Sequence, residues 1–241
     1  MTTVLIDADL VAYRCAASCE NETADIAAVR INDLVQRIIE ETGADSYLCY
    51  LTGRDNFRYK FNPNYKANRK DTPKPKWLQL CREHLVTTWN ASVTDGQEAD
   101  DAMGIFQCAN KDTVIASLDK DMWMIPGKHY SWSTSGRKKG GSKWEKESIH
   151  KTMDESAAIY HFYWQLIMGD QADNIFGFDG LARAKVPQKL YYIMDELSSY
   201  EKEEDMFAFV QNLYNEDERL LMNGRCLWIR RKENEIWEFP I

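Results

Sequence analysis

Residues 3–9 read Thr-Val-Leu-Ile-Asp-Ala-Asp. A run of β-branched and apolar residues that stops at an acid makes a short buried strand ending in a carboxylate. Residues 113–119, TVIASLD, repeat the pattern, and 46–51, SYLCYL, give another strand between them. The intervening segments change period. Ile31, Leu34, Val35, Ile38 and Ile39 fall at i, i+3, i+4, i+7 and i+8, one apolar helix face closed by Gly43. Trp77, Leu80, Cys81, His84 and Leu85 form a second stripe, Val93 begins a short extended piece, and 98–109 is a helix with Ala102, Met103, Ile105 and Phe106 inward. A strand is expected at 129–133 and an aromatic-rich helix at 156–168. A Gly/Asp loop at 169–180, further helices, and a terminal hairpin of 225–239 around 232–234 would complete the chain. Strands alternating with helices imply an α/β fold with a mostly parallel central sheet and helices on both faces. In such sheets the site lies at the carboxyl ends of the strands, where Asp7 and Asp119 sit.

The bulk properties narrow the function. A chain of 241 residues suits one α/β domain, and 44% hydrophobic content excludes a disordered protein. No apolar run reaches about 18 residues, so no membrane span is expected. The first residues lack a basic leader and a cleavage site and read as a strand, not a signal peptide. Six cysteines without a C-x-x-C pair read as buried free thiols in a reducing cytosol, and four scattered histidines argue against zinc. The net charge of −8 is unlike that of a nucleic-acid binder. Eight acids gathered at one metal site would account for all of it, leaving the placement of the basic residues to decide the partner.

Four acidic clusters carry chemistry. Asp7 and Asp9 follow the first strand; Glu98, Asp100 and Asp101 (EADD) open a helix; Asp119 and Asp121 (DKD) end the third strand; Asp170 and Asp173 lie in GDQADN. Each has a structural reading, as a helix cap, a first-turn acid favoured by the macrodipole, or a turn residue. Together they would converge on one edge of one sheet. Carboxylates packed together raise one another's pKa. Hard divalent cations resolve that conflict, and an all-carboxylate set suits magnesium or manganese.

Between 54 and 76 lie Arg54, Arg58, Lys60, Lys66, Arg69, Lys70, Lys74 and Lys76, opposed only by Asp55 and Asp71 and interleaved with Phe57, Tyr59, Phe61 and Tyr65. This reads as a long exposed basic loop in which cations track phosphates and aromatics stack on unpaired bases. A second basic patch is Arg137, Lys138, Lys139 and Lys143.

In order along the chain, LIDAD (5–9), NFRYKFNPNYKANRK (56–70), EADD (98–101), SLDKDMWMIP (117–126), GDQADNIFG (169–177) and the tail RCLWIRRKENEIWEFP (225–240) resemble the 5′-nuclease superfamily of flap endonucleases and 5′→3′ exonucleases. They are most similar to the 5′→3′ exonucleases of T-odd bacteriophages. The resemblance runs from residue 3 to the C-terminus. It implies a single PIN-like 5′-nuclease domain over 1–241, with an arch over the active site at about 53–76 and a helical duplex-binding part at about 152–215.

The resemblance also assigns roles. Asp7, Glu98 and Asp100 would hold one magnesium ion, and Asp119, Asp121, Asp170 and Asp173 the second, with manganese able to substitute. Asp101 and Asp9 would reach metal through water. Two ions about 4 Å apart would clamp the scissile phosphate, and Lys66 and Arg69 match the family's basic pair that contacts it. Arg54, Arg58, Lys60, Tyr65, Lys70 and the second basic patch would bind DNA. In GFDGLARAK (177–185), Gly177, Gly180 and Lys185 would begin a helix that grips duplex phosphates. Ala182 stands where the family has a third glycine, which counts against its potassium ion. A second departure falls at Thr52 and Gly53, near which the family has a further aspartate, with Asp55 the nearest substitute. The implied protein is a monomer acting on 5′ ends or flaps of DNA, and on RNA–DNA hybrids, in the cytoplasm of a phage-infected bacterium, without a membrane partner.

Two rival readings remain. A haloacid-dehalogenase-type phosphatase would use Asp7-Ala8-Asp9 and Gly169-Asp170 with one magnesium, leaving EADD, DKD and the basic loop unexplained. A binding-only protein for branched DNA would have lost its chemistry at Thr52 and Gly53.

Overall fold

A computed structural model describes residues 1–137, 141–183 and 185–240. The elements in chain order are β1 (Thr3–Asp7), α1 (Ala8–Ser18), α2 (Ala24–Thr42), β2 (Ser46–Thr52), α3 (Leu78–Trp89), β3 (Ser92–Thr94), α4 (Ala99–Ala109), β4 (Thr113–Ala116) and β5 (Gly127–Ser131). There follow β6 (Thr134–Arg137), β7 (Lys143–Lys146), β8 (Ile149–Met153), α5 (Glu155–Met168), β9 (Gly169–Asp170), β10 (Ile175–Phe176), α6 (Tyr191–Leu197), α7 (Glu203–Tyr214) and α8 (Asp217–Leu227). The central sheet has the order β3-β2-β1-β4-β5-β8. Its first five strands are parallel, and only the edge strand β8 runs antiparallel.

Alternation along the central strands divides the core. Val4 and Ile6 of β1, with Val114 and Ala116 of β4, pack with Val11, Ile31, Val35 and Leu85 of α1 to α3. Leu5 and Ile115 point the other way, onto Met103 of α4 and Phe162 and Leu166 of α5. Because both faces are covered, the strands read as nearly continuous apolar runs. Each buried Val, Leu or Ile contributes about 1.5–3 kcal/mol.

The acids follow from how the strands end. Asp7 is the last residue of β1 and caps α1, its Oδ1 accepting from the Leu10 N–H at 3.0 Å. Ser117, just past β4, donates from Oγ to Asp7 Oδ2 at 2.7 Å and accepts the Asp119 N–H at 3.0 Å. The two neighbouring strand ends are thereby tied together. Gly43 ends α2 with φ +62°, the left-handed conformation a glycine adopts at little cost.

Several expectations need correction. The 53–76 stretch is not a free arch: Phe57, Arg58, Asn62 and Tyr65 are buried, and two short 3-10 turns, Phe57–Lys60 and Ala67–Arg69, shape it. Where the sequence reads as a basic Gly-rich loop over 136–146, residues 134–137 and 143–146 pair as the antiparallel ribbon β6–β7. Lys138 and Lys139 lie outside the described residues. The terminal hairpin is replaced by α8 as far as Leu227, followed by a turn with no assigned strand in which Glu235 accepts from Trp228 Nε1 and the Arg231 N–H. Among the described residues no helix starts at Gly177; a 3-10 turn at Gln188–Leu190 leads into the next α-helix, α6, at Tyr191. The Gly177 and Gly180 N–H groups donate to Leu181 O and Gly177 O, so they do not present themselves to phosphates. Gly177 is needed because a Cβ there would collide with Ile167 O. Lys185 is exposed. Five cysteines are buried free thiols and Cys108 is exposed.

Candidate active site

At the carboxyl ends of β1, β2 and β4 opens a cleft of about 1560 Å³. Asp7 and Asp9 reach it from the β1–α1 junction, Glu98 and Asp100 from the start of α4, Asp119 and Asp121 from the turn after β4, and Asp170 and Asp173 from the β9–β10 turn. Gly169, with φ +66°, leaves α5 so that β9 pairs with β10 and the four-residue turn faces the cleft.

The acids are poorly compensated. Burial, then the charges of Asp9 and Asp119, pushes the Asp7 carboxyl up to about 7 in spite of its hydrogen bonds. Burial and Asp173 push Asp170 up to about 6. Asp100 is raised by burial, Asp7 and Asp119, and Asp121 by burial, Asp119 and Asp170. Gln165 of α5 donates from Nε2 to Asp121 Oδ1 and so fixes that acid's orientation.

Glu98 and Asp173 differ, because the chain supplies them with cations. Lys66 Nζ lies 2.5 Å from Glu98 Oε1 and 3.6 Å from Asp173 Oδ2, and Arg69 Nη2 lies 2.6 Å from Asp173 Oδ1. Burial works against ionisation of Glu98, but Lys66 and then Arg58 outweigh it and hold the carboxyl below its usual range. Among the described residues, no three Asp, Glu, His or Cys side chains are gathered so as to hold an ion as they stand. The donor set nonetheless suits one: five acids held at raised pKa around a common cleft, Asp119 among them, are oxygen ligands in want of a hard cation.

Three predicted site residues turn away from this chemistry. Asp101 is fully buried outside the cleft. It accepts from Arg58 Nη1 and Nη2 at 2.6 and 2.9 Å and from the Arg230 N–H at 3.1 Å, and it closes a capping box with Glu98. Arg58 is equally buried and donates further to Cys226 O and Trp228 O, both at 2.8 Å. It clamps the loop and the C-terminal tail to α4 and cannot reach DNA. Tyr65 is 1% exposed and donates from Oη to Asp173 and Glu98 at 2.6 and 3.1 Å, so it positions acids and offers no face for stacking. Lys66, Arg69, Arg54, Lys74 and Lys76 line the cleft. Lys60 and Lys70 are exposed on the same loop, and Arg137 lies in β6.

The profile of the family described as 5′-3′ exonuclease, N-terminal resolvase-like domain, matches residues 2–161. The chain belongs to this 5′-3′ exonuclease family. An exodeoxyribonuclease of Enterobacteria phage T3 is 32% identical to it over 150 residues, 57% of this chain and 44% of that protein. An exonuclease of Escherichia phage T7 is 32% identical over 152 residues, 58% of this chain and 44% of that protein. The matched stretch is thus less than half the length of these relatives. Among solved structures, a bacteriophage T5 flap endonuclease in a pseudo-enzyme–product complex with DNA and metal ions superposes with a TM-score of 0.64 at 16% identity. A T5 5′-exonuclease with bound zinc superposes at 0.63 and 17%. Each comparison covers 94% of this chain and 89% of the other, and at such identity the likeness shows the fold.

In this member of the 5′-3′ exonuclease family, other contacts occupy the space at Thr52 and Gly53, where the resemblance implies a further aspartate. Thr52 Oγ accepts the Ala99 N–H at 3.0 Å and so caps α4. A Cβ on Gly53 would run into Asp95 and lie 2.6 Å from Thr94 O, so no side chain fits there. Asp9 accepts the Thr52 N–H at 2.7 Å, and Arg82 of α3 donates to both Asp9 and Thr52 O. Arg82 therefore belongs to the cleft wall, a role that its place beside the apolar stripe of α3 did not signal. Asp55 lines the cleft mouth.

Proposed function

We propose that the chain is a divalent-metal-dependent nuclease that hydrolyses phosphodiester bonds from the 5′ end of DNA. The observation that carries this reading is the meeting in one cleft of seven carboxylates (Asp7, Glu98, Asp100, Asp119, Asp121, Asp170 and Asp173) with Lys66 and Arg69. Asp7, Glu98 and Asp100 would hold one magnesium or manganese ion, and Asp119, Asp121, Asp170 and Asp173 a second. Bound there, such ions supply Lewis-acid polarisation of the phosphate and a more acidic attacking water. Lys66 and Arg69 face the cleft and would offset charge on the phosphoryl oxygens. Tyr65 and Gln165 would hold Asp173 and Asp121 in place, and Arg82 would keep Asp9 out of the ligand set. The exposed cations at 54, 60, 70, 74 and 76 would guide the strand. Flap cleavage and removal of RNA from RNA–DNA hybrids are the expected extensions, by a monomer in the bacterial cytoplasm.

A binding-only reading is supported by Gly53, where a further ligand side chain has no room. The experiment that decides is incubation of a duplex with a labelled 5′ flap, beside a blunt duplex, with magnesium and with EDTA. Magnesium-dependent release of 5′-phosphorylated products is expected. Binding without cleavage in magnesium and in manganese would replace the nuclease by the binding protein.

A further inference from the structure

A second cavity, of about 490 Å³, shares no lining residue with the cleft. It lies between α1, α2 and the root of the β6–β7 ribbon. Its donors are the guanidinium groups of Arg14, Arg30 and Arg37 and the hydroxyls of Ser133, Thr134 and Ser135. Arg30 is fixed: it donates to Ser18 O at 2.7 Å, to Ser18 Oγ at 2.8 Å and to Glu22 at 2.8 Å. Arg14 and Arg37 make no hydrogen bond or ion pair among the described residues. Glu41, one turn beyond Arg37, accepts from Tyr130 Oη instead. Asp33 and Glu145 also line the cavity, both exposed and solvated. Lys146, paired in register with Thr134, adds an exposed cation beside it.

Two unengaged guanidinium groups beside a third that is already oriented, with hydroxyl donors opposite, form a site for a tetrahedral oxyanion. Arginine forks and hydroxyls match the oxygens of a phosphate. The position indicates where that phosphate comes from. Leu10 lines the cleft, and Arg14, on the same face of α1 one turn later, lines the cavity. Arg14 therefore lies about 6 Å along the helix from the cleft-lining Leu10. We propose that this cavity is a second phosphate site, which takes one backbone phosphate of a nucleic-acid strand whose neighbouring segment lies in the cleft. The inference rests on the chain binding nucleic acid, as proposed above, but not on its cutting it.

The test is the Arg14→Gln/Arg37→Gln double variant. Neither side chain makes a hydrogen bond or ion pair among the described residues, so an unchanged thermal midpoint is expected and serves as the folding control. Binding of a fluorescent duplex with a 5′ overhang is measured in EDTA over a range of salt concentrations. Loss of one phosphate contact lowers the slope of log K against log salt by about 0.7–0.9, with weaker binding at low salt. Calorimetry with inorganic phosphate and with a 5′-mononucleotide separates the sources. A slope that falls while neither small ligand binds the wild type assigns the site to the strand. An unchanged slope with small-ligand binding lost in the variant overturns the strand assignment in favour of free phosphate. An unchanged slope with no small-ligand binding, while magnesium-dependent cleavage persists, overturns the site and leaves the cleft reading standing. No binding of the duplex by wild type overturns both.

Discussion

The start of α4 carries two adjacent acids with opposite fates. Asp101 is saturated: two guanidinium contacts, a backbone N–H and a capping box occupy its oxygens in the dry interior. Asp100, one residue earlier, lines the cleft and faces Asp7 and Asp119, with burial and their charges raising its pKa. Residue type and sequence motif do not separate them. What separates them is about 100° of helix rotation, which sends one inward and the other to the sheet edge. The saturated acid holds the fold together. The unsatisfied one is left to a ligand that the chain does not itself supply.

Substitutions should push the two acids in opposite directions. The largest effect is expected for Asp100→Asn or Asp119→Asn, which would remove several kcal/mol of transition-state stabilisation and lower kcat by about 10³-fold or more. Substrate binding should survive, and single-turnover cleavage beside a binding assay checks this. Next, Arg58→Met leaves Asp101 buried without its guanidinium partner and should cost about 3–5 kcal/mol of stability in a denaturant titration. The double variant Arg58→Met/Asp101→Leu should recover much of that loss, because two apolar groups replace a buried pair. Failure to recover would mean that the hydrogen bonds to Cys226 O and Trp228 O matter more than the ion pair. Lys66→Ala should lower kcat by about 10²–10³-fold with a smaller change in substrate affinity. The opposite pattern would make Lys66 a docking residue.

The smallest effect lies outside both regions. His129 is buried and donates from Nε2 to Ile125 O at 2.7 Å, and burial pushes its pKa down from 6.5 to about 4. The unfolded chain therefore takes up this proton first. The contribution is fully present above about pH 6.5 and is lost as the pH falls towards 4, by up to about 1.4 kcal/mol per unit. The cleft acids, with raised pKa values, change stability in the other direction over the same range. Comparing wild type with His129→Leu at pH 7 and pH 5 isolates the histidine, and an equal pH response in both would contradict the assignment.

Much of the fold was legible because strand alternation and helix stripes are local. Acids placed after strands then locate the site, because a parallel sheet presents its carboxyl edge to ligands. What was not legible depended on partners distant in sequence. Arg58 and Tyr65 look like DNA-binding residues until the tail at 226–230 and the turn at 173 are brought beside them. The Glu98-x-x-Asp101 spacing did carry a signal, that of a capping box, which marks Asp101 as the inward acid. The ribbon β6–β7 and edge strand β8 lack an apolar alternation because they are largely exposed. The Gly177 turn matched a phosphate-binding pattern in letters, while its amides are used within the turn itself.

The most direct test of the account is the thermal stability of wild type and Asp121→Asn, each in EDTA and in magnesium. If the cleft acids repel one another and await a divalent ion, the variant melts higher than wild type in EDTA, and magnesium raises the wild-type midpoint far more than that of the variant. A wild type that is indifferent to magnesium, or a variant less stable than wild type in EDTA, would contradict the claim that this cleft is built for metal.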